Sequence, residues 1–127
     1  MVDFHGHVTH KLARARVLAA WRSGHIDKEN ICDAEFLLVA AAKYHGTPVN
    51  TPCPICEHNS LREVFWVYGD ELGRMSGSAR SLEEIERFVQ NGLEFTVHNV
   101  EVCPNCKWNH LIAAAIAAPT GTTDGAK

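Results

Sequence analysis

Cys53-Pro54-Ile55-Cys56 and Cys103-Pro104-Asn105-Cys106 repeat one pattern, Cys-Pro-x-Cys, and their residue types and spacing suit one kind of chemistry above others. Two residues between cysteines let a tight turn present both sulfurs to one ion, and two such knuckles complete the tetrahedral four-thiolate shell that zinc favours at ~2.3 Å per bond. Four thiolates leave no position for water or substrate, so one zinc ion held by Cys53, Cys56, Cys103 and Cys106 is expected to be structural and not catalytic. The separation is unusual: residues 57–102 place 46 residues between the knuckles, where ~15–20 is commoner, so an inserted element is expected.

Two other uses of paired cysteines fit less well. Iron-binding knuckles of the rubredoxin type usually continue with Gly, whereas Glu57 and Lys107 follow here, and a redox dithiol needs one reactive pair at a helix start. Cys32, the odd cysteine, sits between Ile31 and Asp33-Ala34 with no cation beside it, and reads as a small buried hydrophobe. His5, His7 and His10 read as solvated terminal groups, and His98 and His110 as supporting or surface groups, because four thiols already satisfy the ion.

The elements that must position these cysteines fall into two unequal parts. Residues 8–22 are rich in Ala, Leu and Arg and read as a helix ended by Gly24, with Lys11, Arg14 and Arg22 gathered into a basic stripe. A short helical piece from Asp27 to Cys32 follows, then a helix from Ala34 to His45 capped by Asp33 and closed by Gly46. These pieces resemble a helix-turn-helix in outline, but Ala34-Glu35-Phe36-Leu37-Leu38-Val39-Ala40-Ala41-Ala42-Lys43-Tyr44 offers almost nothing that could bond a base edge. Beyond the Pro-bearing connector 47–52, Leu61 to Tyr68 and Leu93 to Val102 read as strands. Ser81 and Glu84 form a capping box that opens a helix from Leu82 to Gln90, and a last short helix is expected at Leu111 to Ala117. The predicted fold is thus α+β: a helical N-terminal arm over 1–46, a zinc ribbon with an inserted helix and a small antiparallel sheet over 53–118, and a flexible tail over 119–127.

Composition bounds the function. At 127 residues, 46% apolar and 21% charged, the chain is expected to fold as one domain, or as one small domain with an appendage. The formal charge of -3 falls to about -5 with four thiolates on a divalent ion, which disfavours free nucleic-acid binding. No apolar run approaches the ~18–20 residues that span a bilayer, and Asp3 stands where a secretory leader needs positive charge, so a cytoplasmic protein without membrane contact is expected.

Val67-Tyr68-Gly69-Asp70-Glu71-Leu72-Gly73, Val100-Glu101-Val102-Cys103 and Cys106-Lys107-Trp108-Asn109-His110, with Ile31-Cys32-Asp33-Ala34 upstream, resemble a small actinobacterial zinc-ribbon family of unknown function. The likeness covers most of residues 9–112 and implies an intracellular bacterial protein with four cysteine ligands, without an activity. More loosely, the paired knuckles look like those of zinc ribbons that ride on RNA polymerase or the ribosome. The expectation is a non-enzymatic adaptor that docks on such an assembly through Lys11, Arg14, Arg16 and Arg22, the turn residues Tyr68, Asp70, Glu71 and Arg74, and Trp108. Direct nucleic-acid binding is the alternative, and a thiol redox protein using Cys32 or a labile zinc thiolate is the third reading.

Overall fold

The computed structural model describes residues 2–119. Strand β1 (Val2–Thr9) leads into helix α1 (Lys11–Arg22), and a short 3-10 turn precedes helix α2 (Phe36–His45). Strands β2 (Thr47–Pro48) and β3 (Arg62–Tyr68) flank the first knuckle; β4 (Ser78–Arg80), helix α3 (Leu82–Gln90), β5 (Phe95–Val102) and β6 (Asn109–Pro119) complete the chain. The strands form one six-stranded sheet in the order β1-β6-β5-β3-β2, every pairing antiparallel, with β4 and β2 sharing the outer edge of β3.

Alternation along the strands assigns the two faces. Val67, Phe95, Val97 and Ala117 pack against Ile85 and Val89 of α3 on one face, whereas Val64 and Val102 meet Ala34, Ala41 and Ala42 at α2 on the other. α3 forms where the sequence places it because Ser81 Oγ accepts the Glu84 amide at 3.2 Å while Glu84 Oε1 accepts the Ser81 amide at 3.0 Å. Asn91 and the left-handed Gly92, at φ 85°, end it.

Four expectations change. The final helix at Leu111 to Ala117 is instead the long strand β6, hydrogen-bonded to β5 on one side and β1 on the other. Alanine's helix preference is worth only tenths of a kcal/mol per residue over its neighbours, and two complete ladders outweigh it. The helix read from residue 8 begins at Lys11, because Val2–Thr9 is a strand of the sheet, so the first 46 residues are not wholly helical. Asp33 does not cap α2: it accepts the Asn109 side chain at 3.0 Å, and the helix begins after Glu35. Thr47–Pro48 of the expected connector pairs with β3, and of the expected tail all but Pro119 lies outside the described residues.

Candidate metal centre

The four cysteines meet at one end of the sheet, where β3 begins and β5 ends, since Arg62 pairs with Val102. Both knuckles fold by the same backbone bonds. In the first, the Cys53 amide donates to His58 O at 2.9 Å and the Glu57 amide to Cys53 O at 3.0 Å; in the second, Cys103 donates to Trp108 O and Lys107 to Cys103 O, each at 2.8 Å. The turn places the residue after each second cysteine in the left-handed region, Glu57 at φ 64° and Lys107 at φ 72°. Side chains other than glycine therefore occupy the position that glycine serves most easily.

The Sγ atoms all lie within 4.8 Å of one another, with Cys53 to Cys106 at 3.7 Å and Cys56 to Cys103 at 3.6 Å. Metal–sulfur bonds of ~2.3 Å in a tetrahedron imply edges of ~3.8 Å, so these sulfurs are positioned to bind one metal ion. Among the described residues, this is the one group of three or more Cys, His, Asp or Glu side chains close enough to do so. The terminal histidines do not join it. His98 instead rests against Tyr68, ring centroids 4.9 Å apart, and His110 stacks on Trp108 at 5.9 Å.

Donors surround the sulfurs, as a doubly negative metal–thiolate centre requires. The Ile55 amide reaches Cys53 Sγ at 3.4 Å, Asn105 Nδ2 reaches Cys56 Sγ at 3.4 Å, and Ser60 Oγ lies 3.1 Å from Cys103 Sγ. Burial pushes the Cys53 thiol up to about 11, and burial also raises Cys106. At Cys56 burial acts upward too, but hydrogen bonds from Asn105 and His58 outweigh it and bring the thiol down to about 6. His58 is raised in turn by its hydrogen bond with Cys56. Asn105, Ser60 and His58 were not legible as supporting groups, because only the folded knuckles bring them to the sulfurs.

The N-terminal helices pack on this centre. Leu18 of α1, Ile31, Cys53, Ile55, Leu61, Cys103 and Trp108 share one buried cluster, with Trp21 and Cys32 at its margin. Cys32 is half-buried, and its Sγ lies 3.8 Å from Cys106 Sγ, so it is a fifth sulfur at the centre and not merely a small hydrophobe. No sequence spacing signalled that contact.

The expected partner-binding residues scatter. Trp108 is fully buried and cannot touch a partner; its indole N–H donates to Glu101 Oε2 at 2.7 Å. Arg14 donates to that same oxygen at 2.9 Å, which withdraws it from the basic stripe, while Lys11, Arg16 and Arg22 are exposed. Tyr68, Asp70, Glu71 and Arg74 are exposed at the other end of β3 from the cysteines, and Glu71 Oε1 accepts the Glu94 amide at 3.3 Å. Away from both, an apolar concavity of about 230 Å³ lies between Phe4, Phe65, Leu82, Val97 and Ala115.

Fold and site together define an α+β protein with a four-cysteine candidate metal centre at one end of an antiparallel sheet. Residues 1–126 match the model of a family of unknown function, DUF5318, and the chain belongs to that family. It is 45% identical over 105 residues to uncharacterised proteins of Mycobacterium bovis and Mycobacterium tuberculosis, covering 83% of this chain and 77% of each relative. These relatives bear out the expectation of an actinobacterial family. No solved structure matches the chain. No helix among the described residues is long and apolar enough to cross a membrane.

Proposed function

We propose that this chain is a non-enzymatic, zinc-stapled adaptor that docks on a larger cytoplasmic protein assembly, with helix α2 as its principal contact. The observation that carries the reading is the outer face of α2: Phe36 is 83% exposed, Leu37 70% and Tyr44 81%. Residues 36, 37, 40 and 44 fall within about 100° on a helical wheel, so they form one apolar face. The opposite face, Ala41 and Ala42, is buried on the sheet. The first seven residues of α2, Phe36 to Ala42, are all apolar, and a segment of that kind is ordinarily covered on all sides, whereas here the chain covers only one; Lys43 and His45 confine the polar groups to the last turn. The groove beside α2, floored by Trp66 and bounded by Leu37, Ala40 and Tyr44, gives a partner's apolar side chain somewhere to sit.

Zinc is the ion that best suits four thiolates in a closed shell, and its role is to hold the sheet end and α1 together. It supplies fold stability and no chemistry. The experiment compares proteins captured after crosslinking by the zinc-loaded wild type and by the double variant Phe36→Asp/Leu37→Asp, with and without nuclease. One set of proteins should survive nuclease and vanish with the variant, whose zinc content and unfolding midpoint stay unchanged, since exposed substitutions usually cost under ~0.5 kcal/mol. Capture that is indifferent to the variant overturns the α2 surface, and capture that nuclease abolishes moves nucleic acid, through Lys11, Arg16 and Arg22, to first place.

A further inference from the structure

We infer that Cys32 and Cys106 are a peroxide-sensitive thiol pair, and that their oxidation opens the metal centre at its second knuckle. This rests on reading the four cysteines as a metal centre and goes beyond the adaptor role. The distance between Cys32 Sγ and Cys106 Sγ, 3.8 Å, falls within the spread of sulfur separations inside the centre, which include 3.6 and 3.7 Å and reach no further than 4.8 Å. A tetrahedral ion has no fifth position, so the Cys32 sulfur keeps its lone pairs free while standing at a ligand's shoulder.

The placement of Cys32 is held by the backbone on both sides. Its amide donates to Lys28 O at 2.8 Å, and two residues on, the Ala34 amide donates to Lys107 O at 3.0 Å. Asn109, just past the knuckle, adds its bond to Asp33 at 3.0 Å. Residues 32–34 are therefore sewn to the knuckle that carries Cys106, and bringing the two sulfurs to a disulfide length of ~2.05 Å needs a closing of ~1.7 Å within reach of side-chain rotation. Access permits this pair: Cys32, Cys56 and Cys106 are half-buried, whereas Cys53 and Cys103 are buried, and of the three half-buried cysteines Cys32 is the one outside the four-sulfur group.

The chemistry balances with a hydroperoxide as the oxidant. The Cys106 thiolate attacks one oxygen of hydrogen peroxide; the O–O bond breaks, Cys106 becomes a sulfenic acid, and hydroxide leaves. Cys32 then attacks the Cys106 sulfur, the S–O bond breaks, water departs with the Cys32 proton, and a disulfide remains. Two electrons pass from the two sulfurs to the peroxide. The ion keeps three thiolates in place of four, and its affinity falls. A dithiol reductant reverses the change by exchange.

The test treats the full chain, loaded with one equivalent of zinc, with hydrogen peroxide, reads released zinc with a colorimetric chelator, and maps disulfides by mass spectrometry after alkylation. Zinc content before oxidation judges the metal centre by itself, so failure there is distinguished from failure of the switch. Zinc should leave in step with a Cys32–Cys106 linked peptide and rebind after dithiothreitol. Cys32→Ser and Cys32→Ala should load zinc normally, release it roughly tenfold more slowly, and accumulate irreversible sulfinic acid at Cys106. Equal release rates in variants and wild type overturn the inference. A wild-type map whose disulfides join only Cys53, Cys56 and Cys103 overturns it as well, whether or not the variants load zinc.

Discussion

Replacing Arg14 by methionine removes a guanidinium while keeping most of its aliphatic stem, and separates a structural cation from a partner-facing one. Glu101 Oε2 would keep the Trp108 indole N–H at 2.7 Å and lose Arg14 Nε at 2.9 Å. The carboxylate side chain is 9% exposed and Arg14 27%. Breaking a fully buried pair from one side costs ~3–5 kcal/mol, but water can partly replace a guanidinium more than a quarter exposed, so about 2 kcal/mol is expected. At this chain length ~1 kcal/mol moves the midpoint by ~4 °C, giving a fall in Tm of about 8 °C. Urea unfolding of Arg14→Met, Glu101→Gln and the double variant, at matched zinc loading, closes the cycle. A coupling of about 1.5 kcal/mol is expected. Additivity within ~0.3 kcal/mol would refute the reasoning and return Arg14 to the surface stripe.

Ser81→Ala should cost about 1 kcal/mol in urea unfolding, because it takes one acceptor from the start of α3. The Glu84 carboxyl is held below its usual range, first by the Ser81 amide, against burial, and then by Arg80. Its folded value thus lies under the unfolded ~4.3, so its contribution is present above that pH and is lost as pH falls through the folded value. Glu84→Gln should flatten the acid limb of the stability curve, and an unchanged limb would count against the capping bond. Lys107→Gly should stabilise by ~0.5 kcal/mol, as relief of a left-handed residue (~1–2 kcal/mol) exceeds glycine's unfolded-state cost (~0.4–1 kcal/mol). Lys107→Ala should give no such gain; a gain shared by both variants would mean that backbone strain is not its source.

What the sequence made legible was local. Cys53, Cys56, Cys103 and Cys106 were paired by spacing alone, α3 was bounded by its own caps, and β3 was marked by Val, Phe, Trp and Tyr. Each of these signals lies within a few residues of what it specifies. The errors concern segments whose state is set from outside. Leu111 to Ala118 carries no period that separates helix from strand, and it becomes β6 because β5 and β1 offer ladders on both its sides. Val2–Thr9 is a strand for the reciprocal reason, since its partner is that same misread segment more than 100 residues away. One misreading therefore forced the other: with 111–117 assigned to a helix, no strand remained to pair the N-terminus.

The same distance in sequence explains the two functional misreadings, and their direction is instructive. Arg14 and Trp108 looked available because a cation on a helix and an aromatic beside a cysteine are usually judged by their neighbours in sequence. Both converge on Glu101, the one buried acid among the described residues, which lies on β5 beside the second knuckle. A buried carboxylate must be paired, so once Glu101 is fixed by the sheet register, a donor from α1 and one from the knuckle are required. That requirement ties α1 to the metal end of the sheet through polar bonds as well as through Leu18. Loss of the ion should accordingly loosen α1 and the Cys32 segment together, while α2, seated on Val64 and Val102, keeps its own core.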